Sequence, residues 1–442
     1  MYDDDSLYWI WLADKCGPAS KSFARIADRF GSPFEVYRLE PEEIDALDFI
    51  SERLKSALSQ KSLERSYSIL KYCKQNKIEI ISYGSRKYPS SLKTLEDPPA
   101  VLYCAGRLPD FDKRLCIGVV GTRKISAYGM QTSYKISYEM AAANICVISG
   151  MALGVDAVSA CAAIEAGGCT VAVLGCGIDI VYPKAHAKLK NSICRNGAVI
   201  TEFPPSEPPN ARNFPKRNRI ISGLSQGVLI VEGNAASGAM ITAERAISQG
   251  REVFALPGKI NESNSEGPNA LIRKGANVAL GSEDIILHYD FLYHDAIDYR
   301  GLKKSKHLSD FKGESLEKYG VSSEVVYGAP VPPRSAGRIG VNDNKISSEP
   351  KNEFLFSEKT DKETETEENR SEEHGSDSSE RVLEGLDALT KRVFELMPID
   401  RACTPDEFIS SGIGIAEAIT SLTILEISGL AVSLPGGTYM RK

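Results

Sequence analysis

The middle of the chain is built from short apolar runs that stop on glycine, separated by stretches of helical periodicity. The runs are Leu115 to Gly121, Val147-Ile148-Ser149-Gly150, Val171-Ala172-Val173-Leu174-Gly175-Cys176-Gly177 and Val228-Leu229-Ile230-Val231-Glu232-Gly233. Short continuous apolar runs of this kind predict strands buried on both faces. Helical spacing over Tyr128 to Asn144 and Asp156 to Ala166 fills two of the intervals. Strand and helix in alternation predict a doubly wound α/β fold with a mostly parallel sheet. In such a sheet all four glycine turns open on the margin formed by the carboxyl ends of the strands, where ligands bind.

That margin carries the candidate chemistry. Gly121-Thr122-Arg123-Lys124-Ile125-Ser126 offers backbone N–H groups, two cations and a hydroxyl where a strand turns into a helix, which suits a phosphate. Glycine is also the ordinary residue for a tight turn, so the recurrence of the pattern matters more than any one copy. Arg212-Asn213-Phe214-Pro215-Lys216-Arg217-Asn218-Arg219 is the densest cationic cluster near it. Its guanidinium forks can bridge phosphate oxygens or stack on a base. Phe214 adds a stacking face, and Asn218 can hydrogen-bond a base edge. A solvated basic loop is the plainer reading of the same residues. Ser237-Gly238, opening another helix after Val231, supplies a second phosphate-loop-like element.

At 442 residues the chain should divide into several domains. Its net charge of −6 argues against nucleic acid until it is located. Residues 349–380 hold twelve Asp and Glu against four Lys and Arg, a net −8, so the remainder carries +2. The stretch from about Pro332 to Glu380 is poor in large apolar residues apart from Phe354-Leu355-Phe356, and predicts a disordered, self-repelling linker. No apolar run approaches the roughly 20 residues of a membrane span. The acidic Met1-Tyr2-Asp3-Asp4-Asp5 start is unlike a secretory signal, so a cytoplasmic protein with no membrane contact is expected. The ten cysteines include no C-x-x-C pair and mostly sit in apolar runs, and His186, His288, His294, His307 and His374 show no ligand spacing. Reduced buried thiols, no metal and no cofactor are expected.

The domain boundaries follow from these shifts: a helical region over 1–75, the α/β region over 76–300, an acidic linker over 301–382 and a last region over 383–442. Gly17-Pro18 between helical patterns in the first region resembles a degenerate helix-hairpin-helix, and a small packing domain is the plainer reading. In the last region, helical patterns at Leu386 to Met397, Thr404 to Ser411 and Ile415 to Ser428 precede strand-like Leu430 to Leu434 and Thr438 to Met440, which predicts a winged helix. Its would-be recognition stretch carries Glu417 and Glu426 and no Lys or Arg, which favours a protein contact over groove reading.

From roughly Tyr83 to Leu287 the chain resembles the DNA-processing protein A family, also called DprA or Smf. The resemblance rests on Tyr88-Pro89, Asp97 to Tyr103, Gly121-Thr122-Arg123 with Ser126 and Tyr128-Gly129, Ser149 to Asp156, and Ala172 to Gly177 with Tyr182-Pro183. It continues through Phe214 to Ile221, Ser237-Gly238, Gly250 to Val253, Leu256-Pro257-Gly258 and Gly267-Pro268-Asn269. It implies an extended Rossmann-like fold that binds single-stranded DNA without catalysis, forms a homodimer and helps to load the RecA recombinase during natural transformation. Carried over, Gly121, Thr122, Arg123, Lys124 and Ser126 would hold phosphates. Phe214, Lys216, Arg217, Asn218 and Arg219 would line the pocket, with Ser149, Gly150, Gly175, Ser237 and Gly238 at its floor. Thr122 stands where serine is usual, and two features depart from the pattern: Ser159-Ala160 stands where relatives often have Ala-His, and the long acidic stretch from Pro332 to Glu380 is not part of it.

A nucleotide phosphoribohydrolase on a related Rossmann-like fold is the rival. Glu232 or Glu244 could be drafted as its catalytic acid, but the Pro-Gly-Gly-x-Gly-Thr run of those enzymes is absent, with Glu232 to Gly238 in its place.

Overall fold

The apolar runs form the centre of a nine-stranded sheet: β1 (Glu79–Ser82), β2 (Val101–Gly106), β3 (Cys116–Val120), β4 (Cys146–Ser149), β5 (Thr170–Val173), β6 (Gly197–Thr201), β7 (Gly227–Ile230), β8 (Glu252–Ala255) and β9 (Asn277–Val278). Their order is β1-β2-β6-β5-β4-β3-β7-β8-β9. The strands from β6 through β9 in that order run parallel, while at one side β2 pairs antiparallel with β6 and β1 pairs antiparallel with β2. Every residue of β3, β4, β5, β6 and β7 is buried, as helices on both faces require. The computed structural model describes residues 5–306, 314–321, 386–398, 401, 403–428, 430–434 and 438–441.

Chain order explains where a ligand can sit. From β3 the chain steps outward through β4, β5 and β6, then helix Asn213–Gly223 carries it back to β7 on the other side of β3. The strand order therefore reverses between β3 and β7, and the loops after them part to leave a crevice at the carboxyl margin. All four glycine turns open there, as the pattern predicts. The two expected helices are observed as Ala127–Ala142 and Val155–Glu165. The first is capped by Ser126, whose hydroxyl accepts from the Gly129 N–H at 3.0 Å.

The amino-terminal helices pack directly on this sheet, so Trp9, Trp11 and Phe23 belong to the same core cluster as Val101, Tyr103 and Val119. The Tyr83 ring stands 6.1 Å from Trp9 and 5.4 Å from Phe23. The Gly17-Pro18 bend ends with the Ala19 N–H donating to Glu202 Oε2 at 3.3 Å, so this turn points into the protein.

The folded chain also runs past residue 300, where the linker was expected to begin. Helix Tyr299–Ser305 buries Leu302 in the main core, and helix Glu314–Glu317 with the turn after it buries Leu316, Tyr319 and Val321 there. Four widely spaced apolar positions gave no periodic signal, yet each fills a gap in the core. The acidic stretch from Pro332 to Glu380 lies outside the described residues.

Two units divide the chain at Gly337. The second contains helix Ala388–Leu396, a 3₁₀ turn Pro405–Ser411, helix Ile415–Ile427 and the antiparallel pair β10 (Ala431–Leu434) and β11 (Thr438–Arg441). Val393, Phe394, Phe408, Leu422 and Leu425 form its own core. Among the described residues, no helix is long and apolar enough to cross a membrane.

Candidate nucleic-acid interface

At the crevice, one aromatic ring gathers two cations from distant parts of the sequence. Phe214 lies at the start of helix Asn213–Gly223, with the Arg123 guanidinium carbon 5.6 Å from its ring centre and that of Arg217 at 6.0 Å. Tyr182 closes the other flank, with ring centres 5.4 Å apart. Arg123 reaches in from the loop after β3, while Tyr182 comes from the segment after β5. Two loops at the same sheet margin and the start of one helix therefore converge on one ring.

Two glycines permit this approach. A side chain at Gly150 would overlap the Arg217 guanidinium, and a Cβ at Gly175 would stand 2.9 Å from the Phe214 ring. Sequence reasoning treated both as turn residues that present N–H groups. The structure uses them as cleared space instead.

Arg217 is almost fully buried, and its guanidinium donates to the Val173 carbonyl while its Nε donates to Asn218 Oδ1 at 3.1 Å. Asn218 in turn donates to the Gly238 carbonyl at 3.4 Å, linking the cluster to the loop after β7. Asp156, which sequence reasoning missed, lies beneath and accepts from the Gly150 and Ala152 N–H groups at 3.1 and 3.2 Å. Burial raises its carboxyl above the usual range, opposed by Arg217 and those N–H groups. Burial also lowers the Arg217 guanidinium, and Arg123 lowers it further by repulsion, while Asp156 opposes both. Two like charges share one ring at the water's edge, so an anion entering here relieves a repulsion already in place.

Residues 79–290 match the family model described as DNA recombination-mediator protein A. The DNA processing protein DprA of Bacillus subtilis is 38% identical over 238 residues, covering 53% of this chain and 80% of that protein. The chain belongs to the DNA recombination-mediator protein A family. Protein Smf of Escherichia coli is 41% identical over 236 residues, 53% of this chain and 62% of that one. The X-ray structure of DNA processing protein A from Streptococcus pneumoniae superposes with a TM-score of 0.56 at 30% identity, covering 64% of this chain and 97% of that chain.

In this member of the family, three of the expected pocket residues face elsewhere. Arg219 is 1% exposed and forms a buried ion pair with Glu202, with Asp97 Oδ2 3.5 Å from its Nε. It lies five positions after Phe214, which turns it off the pocket face of the helix. The Ser149 hydroxyl donates to the Val119 carbonyl at 2.7 Å, inside the sheet. Ser126 gives both its donors to Glu232, through its hydroxyl and through its N–H at 2.9 Å. The anion at that helix start is thus the protein's own carboxylate.

The other expected residues lie on or beside the margin. Thr122 is partly exposed, and its N–H donates to the Glu232 carbonyl at 2.7 Å. Gly121 packs against Val155, and Lys124 and Lys216 are exposed. Ser237 precedes helix Gly238–Ser248, and Gly238 has nothing within 4 Å of where a Cβ would stand, so this helix start is open to solvent. Glu232 is 2% exposed and engaged by Ser126 and by Asn264, whose Nδ2 lies at 3.4 Å, while Glu244 is on an exposed helix face. Among the described residues no cluster of His, Cys, Asp and Glu is arranged to hold a metal.

Proposed function

We propose that the chain binds single-stranded DNA without catalysing its chemistry, with an unpaired base against Phe214 and the backbone phosphates on Arg123, Arg217 and the open start of helix Gly238–Ser248. The observation that carries this reading is the Phe214 ring with two guanidinium groups within 6.0 Å at the switch point of a parallel sheet. A duplex hides its base faces, so an aromatic platform flanked by cations favours a splayed strand. Asn218 can hydrogen-bond a base edge, which adds preference without demanding one sequence.

The family's description as a recombination mediator supports a reading of this binder as acting upstream of a recombinase. We read RecA as the partner that receives the strand, and natural transformation as the setting, following the relatives named DNA processing protein. Val278 at the end of β9, Leu280 just after it, and Leu287 and Phe291 one turn apart on helix Ser282–Tyr293 are exposed apolar side chains, with Phe291 95% exposed. Exposed apolar side chains of this size suit contact with a second copy of the chain in a homodimer. The carboxyl-terminal unit is read as a winged helix that contacts protein, since helix Ile415–Ile427 presents Glu417 and Glu426 and no cation.

A mobility-shift titration of oligothymidine against the protein and Arg123→Ala at two salt concentrations tests the pocket. The variant is expected to bind more weakly and to lose about one unit of salt slope. Equal affinity and equal slope for the two proteins would remove the assignment.

A further inference from the structure

The loop after β8, residues 256–265, contributes nothing to the Phe214 pocket, yet it is braced from three sides. Asn269 holds Gly258 twice, accepting from its N–H at 3.2 Å and donating to its carbonyl at 2.9 Å. The Gly233 N–H donates to the Asn264 carbonyl at 2.7 Å, and Asn264 Nδ2 donates to the Lys124 carbonyl at 3.0 Å. Those two bonds tie the loop to its neighbours after β7 and β3. From the first turn of helix Ala127–Ala142, the Tyr128 hydroxyl donates to the Pro257 carbonyl at 2.8 Å.

Bracing of this kind normally accompanies side chains turned inward. Here Ile260 is 96% exposed and Tyr128 45% exposed, so the fixed backbone presents apolar surface to water. Lys124 is exposed beside them, and Lys259 keeps 77% of its side-chain surface while paired with Glu262 at 3.2 Å. The nearby carboxylate of Glu232 is closed in by Ser126 and Asn264 and does not face this surface. Strand β8 stands two places from β3 in the sheet, so the loop lies roughly 10 Å along the same margin from the Arg123 loop.

We propose that this loop is a second subsite for the same single strand, an inference that rests on the pocket being a single-strand site. The strand leaves Phe214, passes Arg123 and Lys124, lays a base against Tyr128 and Ile260, and sets a phosphate on Lys259 in place of Glu262. An exposed ring and an exposed aliphatic wedge accept any base, because every base has an apolar face. The separation corresponds to roughly three nucleotides at the rise of a stacked strand. The hydrogen bond from Tyr128 to Pro257 fixes the ring edge before DNA arrives, which lowers the ordering cost of binding.

Fluorescence anisotropy with two oligothymidines, of about three and about twenty nucleotides, separates the two subsites, because a strand of about three held at Phe214 does not reach the loop after β8. Tyr128→Ala and the double variant Lys259→Ser/Ile260→Ser are each expected to weaken the long strand about tenfold and the short one less than about twofold. Tyr128→Phe keeps the ring and retains most of the long-strand affinity. Equal losses on both lengths, or no loss on the long strand, overturn the second subsite. Arg217→Ala, by contrast, weakens both lengths if the pocket is correctly read. If it weakens neither, the pocket reading fails and this subsite fails with it.

Discussion

Arg217 and Arg219 are two residues apart on one helix, both nearly excluded from water, and the protein uses them in opposite ways. Arg219 turns into the body of the fold, where Glu202 and Asp97 surround it and the Ala19 N–H shares Glu202. Its charge is neutralised, so it joins the amino-terminal turn to the helix that carries the pocket. Arg217 turns to the margin, where it donates to the Val173 carbonyl oxygen and the Asn218 amide oxygen, and where Arg123 repels it across the Phe214 ring. Burial alone therefore does not mark a structural arginine. What separates them is that a carboxylate answers Arg219 within hydrogen-bond reach, while Arg217 feels Asp156 only through space and is opposed by Arg123.

The largest expected effect lies on the structural side. Arg219→Ala leaves Glu202 buried without its cation and should cost about 3–5 kcal/mol of stability, seen as a lower urea midpoint. A loss below about 1 kcal/mol would show that the pair is not what fixes the helix. Next, Gly150→Ala displaces the Arg217 guanidinium and is expected to weaken single-strand binding about tenfold. Its folding should change less, by about 1–3 kcal/mol. Wild-type affinity in that variant would mean the strand does not use Arg217 as placed.

The smallest effect concerns His186, which is 1% exposed and donates through Nδ1 to the Met151 carbonyl at 3.1 Å. Burial lowers its affinity for a proton in the folded state. The unfolded chain protonates first as pH falls below about 6.5, so this group removes stability on acidification. His186→Gln should flatten the fall in melting temperature between neutral and mildly acidic pH, and an unchanged slope would exclude His186 as its source.

Much of this architecture was legible in the sequence because a fully buried parallel strand has few ways to be written. The four glycine-ended runs became β3, β4, β5 and β7 with their turns on one margin. β6 was missed because Gly197-Ala198-Val199-Ile200-Thr201 begins, rather than ends, on glycine and continues from helix Ala187–Asn196. In the site, Arg123, Phe214, Arg217 and Asn218 converge because the strand order places their loops together. Helical spacing could have separated Arg219 from them, since 214, 217 and 218 share a face. The bond from Ser126 to Glu232 joins residues 106 apart, and no local pattern announces it.

The central claim is that the Phe214 ring, flanked by two arginines, grips an unpaired strand. Anisotropy titration of oligothymidine against Phe214→Ala, with melting temperature measured alongside, tests it most directly. The account predicts a loss of about tenfold or more in affinity with little change in melting temperature. Affinity equal to that of the unaltered protein would contradict it.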